Sequence, residues 1–146
     1  MIGVEIREFC LSDALEIARL DKEIFPDFWT EEMWKSECSR TDFFGFVAKN
    51  QDEIVGYICG TALFEEGELP KVAVREDYRG MGLGGKLVDS LIACMKTRGV
   101  EKVFLEARIS NVAALGLYSS KGFETLRKRA KYYPDGEDAV EMMKSL

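Results

Sequence analysis

The sequence predicts a mixed α/β fold, in which a central mixed sheet carries helices on both faces. Two observations support this prediction. Strand-like apolar patterns occur in seven segments and helical patterns in four, in the order β-α-α-β-β-β-α-β-α-β-β. The 146 residues contain no repeat, linker or low-complexity stretch, so we expect one domain spanning residues 1–146.

The first strand and the first helix are marked by alternation followed by a capping pattern. Gly3 to Phe9 alternates enough to form a strand. Ser12 or Asp13 then caps a helix, with Glu16 placed three residues after Asp13. Pro26 ends this helix, because proline cannot continue its hydrogen bonding.

An aromatic segment precedes a second helix, which is expected to begin near Thr30. Phe25, Phe28, Trp29 and Trp34 lie in or beside this segment. Two interpretations stay open: these four rings line a substrate groove, with Phe28 and Trp29 as the leading candidates, or they pack the helix pair against the core.

The next two strands form a predicted β-hairpin. They run from Phe43 to Lys49 and from Glu53 to Leu63, and the turn between them is Asn50-Gln51-Asp52. Gly56 and Gly60 interrupt the second strand, which indicates a local twist or bulge.

A glycine-rich loop connects the strand Leu69 to Val74 with a helix that ends at Arg98-Gly99. Glycines at the start of a helix let the backbone approach a ligand, and the free N–H groups and the helix dipole favour an anion there. We therefore predict a phosphate site. Its residues are Gly80, Met81, Gly82, Leu83, Gly84 and Gly85.

The glycine spacing alone fits more than one phosphate ligand. Gly80-x-Gly82-x-x-Gly85 matches a dinucleotide fingerprint, with Glu106 about twenty residues further on. However, five residues separate Val74 from Gly80, where that fingerprint needs the glycine directly after the strand. A P-loop is disfavoured because Leu87 stands where a Ser or Thr hydroxyl is required.

The C-terminal third continues with a strand, a helix and two further strands. The first of these strands is apolar until Glu106, near its end. The elements are the strand Val100 to Ala107, the helix from Ser110 or Asn111 to about Lys121, and the strands Phe123 to Arg129 and Asp138 to Met143.

Composition excludes several functional classes. The net charge of −6 opposes binding to nucleic acid. No apolar run approaches 18 residues, so we expect no membrane span and a cytoplasmic location. The four cysteines lack CxxC spacing and the chain has no histidine, so neither a metal site nor a Cys-His nucleophile is expected.

Four segments in order resemble the GNAT N-acetyltransferases, specifically their RimI-like and archaeal Ard-type protein N-terminal acetyltransferases. The resemblance covers the second half of the chain strongly and the first 70 residues only in element order. It implies the GNAT fold, a mostly antiparallel twisted sheet of about seven strands with four helices, and acetyl-CoA as cosubstrate. The segments are Val72-Ala73-Val74 with RGMGLG (79–84), LEARISN (105–111), ALGLY (114–118) with Lys121-Gly122-Phe123, and YYPDGEDA (132–139).

The resemblance also implies binding roles. Backbone groups of Val72, Ala73 and Val74 would contact the acetyl and pantetheine groups, and the loop amides would hold the pyrophosphate. Arg79 and Lys86 would add positive charge near the phosphates. Tyr132 and Tyr133 match the loop that closes over the peptide amino terminus, although a turn aromatic is an equal alternative.

Two residues are candidates for the proton transfers of acetylation. Glu106, at the end of an apolar strand beside the expected cofactor, is the candidate base, and it matches the base position of RimI-like enzymes. Asn111, Leu115 and Tyr118 fall at i, i+4 and i+7, which places Asn111 and Tyr118 on one helix face. If Asn111 contacts coenzyme A, as the resemblance implies, Tyr118 points the same way and is the candidate acid. The alternatives are a Glu106 paired with Arg108 and a core tyrosine.

The sequence thus predicts an acetyl-CoA-dependent N-acetyltransferase that modifies the N-terminal α-amine of proteins by direct transfer in a ternary complex. A ribosomal protein is one candidate substrate, as in RimI-like enzymes. The alternatives are a small-molecule amine acetyltransferase of the same fold and a non-catalytic acetyl-CoA-binding module.

Overall fold

The computed structural model describes residues 3–146 and contains the predicted seven-stranded sheet and four helices. The strand order is β1-β2-β3-β4-β5-β7-β6, and only the β4–β5 pair is parallel among these described strands. The strands are β1 Val4–Glu8, β2 Phe43–Asn50, β3 Glu53–Leu63, β4 Glu66–Val74, β5 Lys102–Arg108, β6 Glu124–Arg129 and β7 Ala139–Ser145. The helices are α1 Ala14–Ile24, α2 Glu31–Cys38, α3 Leu83–Thr97 and α4 Val112–Ser120. The expected mixed, mostly antiparallel fold is confirmed.

Two hydrophobic clusters cover the two faces of the sheet. The larger contains the buried side of α3, with Leu87, Leu91 and Met95, together with Tyr118 of α4. The smaller joins α1 and α2 to the sheet around Trp34 and Tyr57. Burial of these apolar faces, at roughly 25 cal/mol per Å², is the main force that holds helices on both sides.

The start of α1 differs from the sequence prediction. Asp13 ends a short 3₁₀ turn, Leu11–Asp13, and its carboxylate accepts the Cys10 N–H (2.7 Å) and pairs with Arg7 (2.8 Å). Glu16 is not part of a cap. Its carboxylate accepts the N–H of Ile54 at the start of β3 (2.7 Å), because α1 lies across that strand.

The β2–β3 hairpin is as predicted, and a register shift lies beside each of the two glycines. Ala48 pairs with Gly56 and Lys49 with Ile54, so the β2–β3 register shifts next to Gly56. The β3–β4 register shifts between Cys59 and Thr61. A Cβ on Gly60 would lie 2.6 Å from Met95 Cε and 2.7 Å from the Glu68 carbonyl oxygen. Glycine is therefore required where α3 presses on the bulge.

Candidate active site

The parallel strands β4 and β5 diverge after a short pairing. Their register covers only Glu66–Glu68 opposite Lys102–Phe104, although β4 continues for six more residues and β5 for four. The sheet is therefore open between the C-terminal halves of these strands.

The divergence leaves backbone hydrogen-bonding groups of β4 facing a gap. Arg75 donates its N–H to the Val55 carbonyl of β3. Since successive residues of a strand direct their backbone groups to opposite sides, those of Val72 and Val74 face the gap. Pro70 faces it as well and has no N–H that would need a partner. A ligand in the gap can bind to strand amides there.

A cleft of about 810 Å³ occupies this gap. It extends from the glycine loop and α4 to the segment that follows α1. The structure brings most of the predicted site residues to it: Val72, Ala73, Val74, Arg79, Gly80, Gly82, Leu83, Gly84, Gly85, Glu106, Asn111 and Tyr118.

The glycine loop has a conformation suited to an anion. Gly80 and Gly82 have φ of +81° and +79°, in the left-handed region that favours glycine. Gly82 precedes α3, and no side chain caps this helix end. Its first N–H groups are therefore available to a diphosphate, as the sequence predicted. A Cβ on Gly84 would lie 3.2 Å from Leu117 Cδ2, so glycine also lets α3 approach α4 closely.

Glu106 lies where two clefts meet. A second cleft, of about 550 Å³, is lined by β4, β5, Arg129, Tyr132 and Glu141, and it shares only Pro70 and Glu106 with the first among the described residues. The Glu106 side chain is 28% exposed, and its Oε1 lies 3.8 Å from Arg129 Nε. The pKa of Tyr132 is raised mainly by its hydrogen bond to Glu106 and, to a lesser extent, by burial. The carboxylate can therefore reach a group in either cleft.

Tyr118 is 6% exposed and lines the larger cleft. Its ring packs edge-on against Phe123, with centroids 5.8 Å apart. Burial raises the pKa of Tyr118 above its usual range, so the phenol stays protonated at neutral pH. The raised pKa makes full proton transfer from Tyr118 costlier than from an ordinary phenol. A hydrogen bond donated by the neutral phenol is the cheaper contribution.

The remaining predicted coenzyme contacts have different environments. Asn111 is the N-cap of α4, with Oδ1 accepting the Ala114 N–H (3.2 Å), which leaves Nδ2 for a ligand. Arg79 donates from Nε to the Val74 carbonyl (2.8 Å) at the edge of the gap. Met81 and Lys86 are exposed and do not line the cleft, so a role for Met81 is limited to its backbone.

The aromatic side chains predicted to bind the substrate are divided. Phe28 is 37% exposed beside Lys22, and Trp29 packs on Trp34 with centroids 4.7 Å apart. Neither lines either cleft, and the packing interpretation holds for Trp29, which packs against the core cluster around Trp34, but not for the exposed Phe28. Ile24, Phe25, Pro26 and Asp27 form the cleft wall instead.

Tyr132 and Tyr133 lie in the loop between β6 and β7. Tyr132 lines the second cleft, and its ring meets that of Tyr133 edge-on at 5.2 Å. Tyr133 stacks under the Arg108 guanidinium, 4.1 Å from the ring centroid. Tyr132 thus lies beside Glu106 in the second cleft, whereas Tyr133 lines neither cleft and packs on Arg108.

The sequence analysis missed the ion pairs that hold this loop. Arg108 pairs with Asp135 at 2.8 Å and with Glu137 at 2.9 Å, so it does not pair with Glu106. The pKa of Glu137 is lowered mainly by a hydrogen bond from Ser110 and next by one from Arg108. The partners lie 27 and 29 residues apart in sequence, and no local pattern could have indicated the contact.

Comparison with known proteins now bears on the identity of the site. Residues 14–123 match the model of the acetyltransferase (GNAT) family. This matched range contains both diverging strands, the glycine loop and α4. The chain belongs to the GNAT family. The predicted family and enzyme class, an acetyl-CoA-dependent N-acetyltransferase, are thereby confirmed.

Relatives of this GNAT enzyme include protein acetyltransferases. It is 31% identical over 150 residues to an N-alpha-acetyltransferase of Sulfurisphaera tokodaii, covering 94% of this chain and 90% of the relative. It is 36% identical over 121 residues to the [ribosomal protein bS18]-alanine N-acetyltransferase of Escherichia coli, covering 81% and 80%.

Solved structures agree with the fold of this GNAT enzyme. The ribosomal-protein-S18-alanine N-acetyltransferase from Escherichia coli gives a TM-score of 0.89 at 30% identity, covering 97% of this chain and 93% of that one. Ard1 from Thermoplasma volcanium gives 0.91 at 25% identity and 99% coverage of both chains.

Two features are absent from the residues that the structure describes. No helix among them is both long enough and apolar enough to cross a bilayer. Residues 3–146 also hold no cluster of three or more Cys, Asp or Glu side chains arranged as metal ligands.

Proposed function

We propose that this GNAT enzyme is a cytoplasmic, single-domain protein N-terminal acetyltransferase that modifies the α-amine of a protein or peptide. Acetyl-CoA would lie in the larger cleft, with its diphosphate at the glycine loop, and the acceptor amine would reach it at Glu106. The observation that carries the proposal is the meeting of two clefts at Glu106 and Pro70, where β4 and β5 diverge.

The residues of the larger cleft suit acetyl-CoA, which supplies an acetyl thioester when bound. The N–H groups that start α3 would hold the diphosphate, and those of Val72 and Val74 would orient the pantetheine and acetyl carbonyl. Asn111 Nδ2 is available for a further hydrogen bond. These contacts use backbone groups, so they depend on the loop conformation more than on side-chain charge.

Glu106 would accept the proton of the acceptor amine, directly or through one water. A peptide α-amine has a pKa of about 7.7 to 8.0, so its deprotonation at pH 7 costs about 1 kcal/mol, against about 4 to 5 kcal/mol for lysine. A carboxylate with ordinary access to water is sufficient for the first task. The Tyr118 hydroxyl would donate a hydrogen bond to the departing sulfur.

The acceptor would extend into the second cleft, beneath the loop that carries Tyr132 and Tyr133. The N-acetyltransferases of Sulfurisphaera tokodaii and Escherichia coli named above support a protein N-terminus as acceptor. A ribosomal protein beginning with alanine is one candidate, since the Escherichia coli relative acts on that class.

A peptide panel tests the proposal. Short peptides that differ in their first residue are supplied with acetyl-CoA, each with a free or blocked N-terminus and with or without an internal lysine. Free polyamines and amino acids are assayed in parallel. We expect turnover only with free N-termini. Rates on N-blocked lysine peptides equal to those on peptides with a free N-terminus would refute the α-amine assignment. Turnover confined to free polyamines or amino acids would indicate a small-molecule enzyme. Coenzyme binding without turnover on any amine would indicate a non-catalytic module.

A further inference from the structure

A charged pair is buried beside the acceptor end of the larger cleft. Lys71 lies on β4 between Pro70 and Val72, and it is 9% exposed. Its Nζ lies 2.6 Å from Oδ2 of Asp21 on α1, which is fully buried. Lys71 lines the cleft together with Phe25. Neither charge takes part in the chemistry proposed above.

Asp21 is the centre of a saturated hydrogen-bond network. Oδ2 accepts the N–H of Trp29 (2.7 Å) as well as the Lys71 ammonium, and Oδ1 accepts the hydroxyl of Tyr57. Burial and the neighbouring Asp21 raise the pKa of Tyr57, so its hydroxyl remains a donor. One carboxylate therefore ties α1, the segment after α1, β3 and β4 together.

Three aromatic rings surround the Lys71 ammonium. The distances from Nζ to the ring centroids are 4.6 Å for Trp29, 5.0 Å for Phe25 and 5.9 Å for Trp34. Cations within about 6 Å of an aromatic face are attracted to it, and more strongly where water is excluded. The ammonium thus contacts Phe25, which lies in the cleft wall, and Trp29, which follows the wall segment Ile24–Asp27 in the chain.

Stability alone gives little reason for such a pair. Replacing a buried ion pair by apolar residues of similar volume is often neutral or stabilising, because the charges lose their hydration. A methionine at position 71 could fill the aromatic cage without any charge. The pair is instead directional: it holds the segment after α1 at one distance from β4, and that distance sets the width of the cleft at its acceptor end.

We propose that Lys71, through Asp21, is a positioning residue that sets the pocket for the first residue of the acceptor. This inference rests on the proposed function, since the acceptor must occupy that end of the cleft. It predicts that loss of the Lys71 charge changes which first residues are accepted and leaves coenzyme binding intact.

The test compares Lys71→Met with Lys35→Met, which removes an exposed lysine paired with Glu31 on α2. With the peptide panel, Lys71→Met should raise the acceptor KM about tenfold and reduce discrimination between first residues about fivefold, the size expected when a pocket wall moves. The acetyl-CoA Kd should stay within about twofold. Lys35→Met should match the wild type in every measurement.

A fall in stability must be separated from a change in positioning. Lys71→Met leaves a buried carboxylate without its counter-ion, so its Tm should fall by roughly 10 °C. The double variant Asp21→Asn with Lys71→Met removes both charges and should recover most of the Tm while keeping the altered discrimination. Lys71→Arg retains a cation and should recover part of the wild-type discrimination.

The outcomes distinguish the two proposals. The positioning role alone is overturned if the wild-type enzyme acetylates free N-termini while Lys71→Met and the double variant keep the wild-type KM and discrimination. A wild-type enzyme with no turnover on any free N-terminus overturns the proposed function and this inference with it. Altered discrimination in the double variant at restored Tm supports the inference.

Discussion

Replacing Glu106 with glutamine removes the proposed proton acceptor and leaves its surroundings nearly unchanged. The amide keeps the size of the carboxylate and can still accept a hydrogen bond from Tyr132. Arg129 loses a contact at 3.8 Å but keeps Glu141 at 3.3 Å, so no cation is left without a partner. We therefore expect the Tm and the acetyl-CoA Kd to stay close to the wild-type values.

The rate should fall substantially. A positioned general base contributes roughly 10²- to 10⁴-fold. We expect the lower end, about 100-fold in kcat at pH 7, because roughly one in ten α-amines is already neutral at that pH. Raising the pH to 9 makes the acceptor amine almost fully neutral, so the kcat of the Glu106→Gln variant should rise about tenfold. The kcat of the wild type should rise less.

The assay is steady-state release of free coenzyme A thiol with the best peptide of the panel, measured from pH 6.5 to 9 with acetyl-CoA saturating. Glu124→Gln is the matched control, since Glu124 is exposed on β6 and lines neither cleft. A Glu106→Gln kcat within threefold of the wild type at pH 7, or a loss of rate that higher pH does not reduce, would refute the role of base.

Three further substitutions test the site and the fold. Tyr118→Phe should lower kcat about 10- to 100-fold by removing the hydrogen bond to sulfur, with the acetyl-CoA Kd unchanged by calorimetry; an unchanged kcat would contradict the assignment. Gly82→Ala forces a φ of +79° on an L-residue, at a cost of about 1–2 kcal/mol, so acetyl-CoA should bind about tenfold more weakly. Gly116→Ala in α4 is the control: its added Cβ has no atom within 4 Å, so this variant should bind acetyl-CoA with the wild-type affinity. Burial acts to raise the pKa of Asp13, but hydrogen bonds from Arg7 and Cys10 outweigh it and lower this pKa in the folded protein. The carboxylate therefore stabilises the fold fully at pH values above the unfolded-state pKa of about 3.9. This stabilisation is lost as the pH falls through the lower folded-state pKa. Asp13→Asn should therefore cost about 1–2 kcal/mol in urea unfolding at pH 7 and progressively less below pH 4, and a pH-independent difference would show that the charge is not responsible.

Local patterns predicted the elements well where periodicity and a stop signal agreed. The hairpin with its bulge and the helix after the glycine loop were all found within a few residues of their predicted bounds. Asp13 stands at the N-cap position of α1 as predicted, but its side chain does not cap the helix. Its carboxylate binds Arg7 on β1 and the Cys10 N–H, and the Glu16 carboxylate binds Ile54 on β3. A capping pattern specifies only local partners, and tertiary contacts can take the same carboxylates.

The candidate site was predicted unevenly for a similar reason. Spacing on one helix indicated that Asn111 and Tyr118 face the same side, and both line the larger cleft. Glu106 was identified from its place at a strand end and from the family resemblance. Of the rings predicted as possible groove residues, Phe25 lies in the cleft wall, and Phe28 and Trp29 do not. Which ring of an aromatic segment faces the core depends on the helix pair beneath it, and the sequence does not specify that orientation.

The sequence by itself determined the order of elements and predicted the glycine loop, because these depend on residue type and short-range spacing. The candidate base and acid were predicted from the family resemblance together with their places on a strand and a helix. The tertiary structure decided that β4 and β5 diverge after three paired residues, that two clefts meet at Glu106, and that Lys71 pairs with Asp21 across 50 residues of sequence. Strand divergence and buried ion pairs arise from packing between distant segments, where the free energy of a contact depends on what surrounds it and not on its neighbours in the chain.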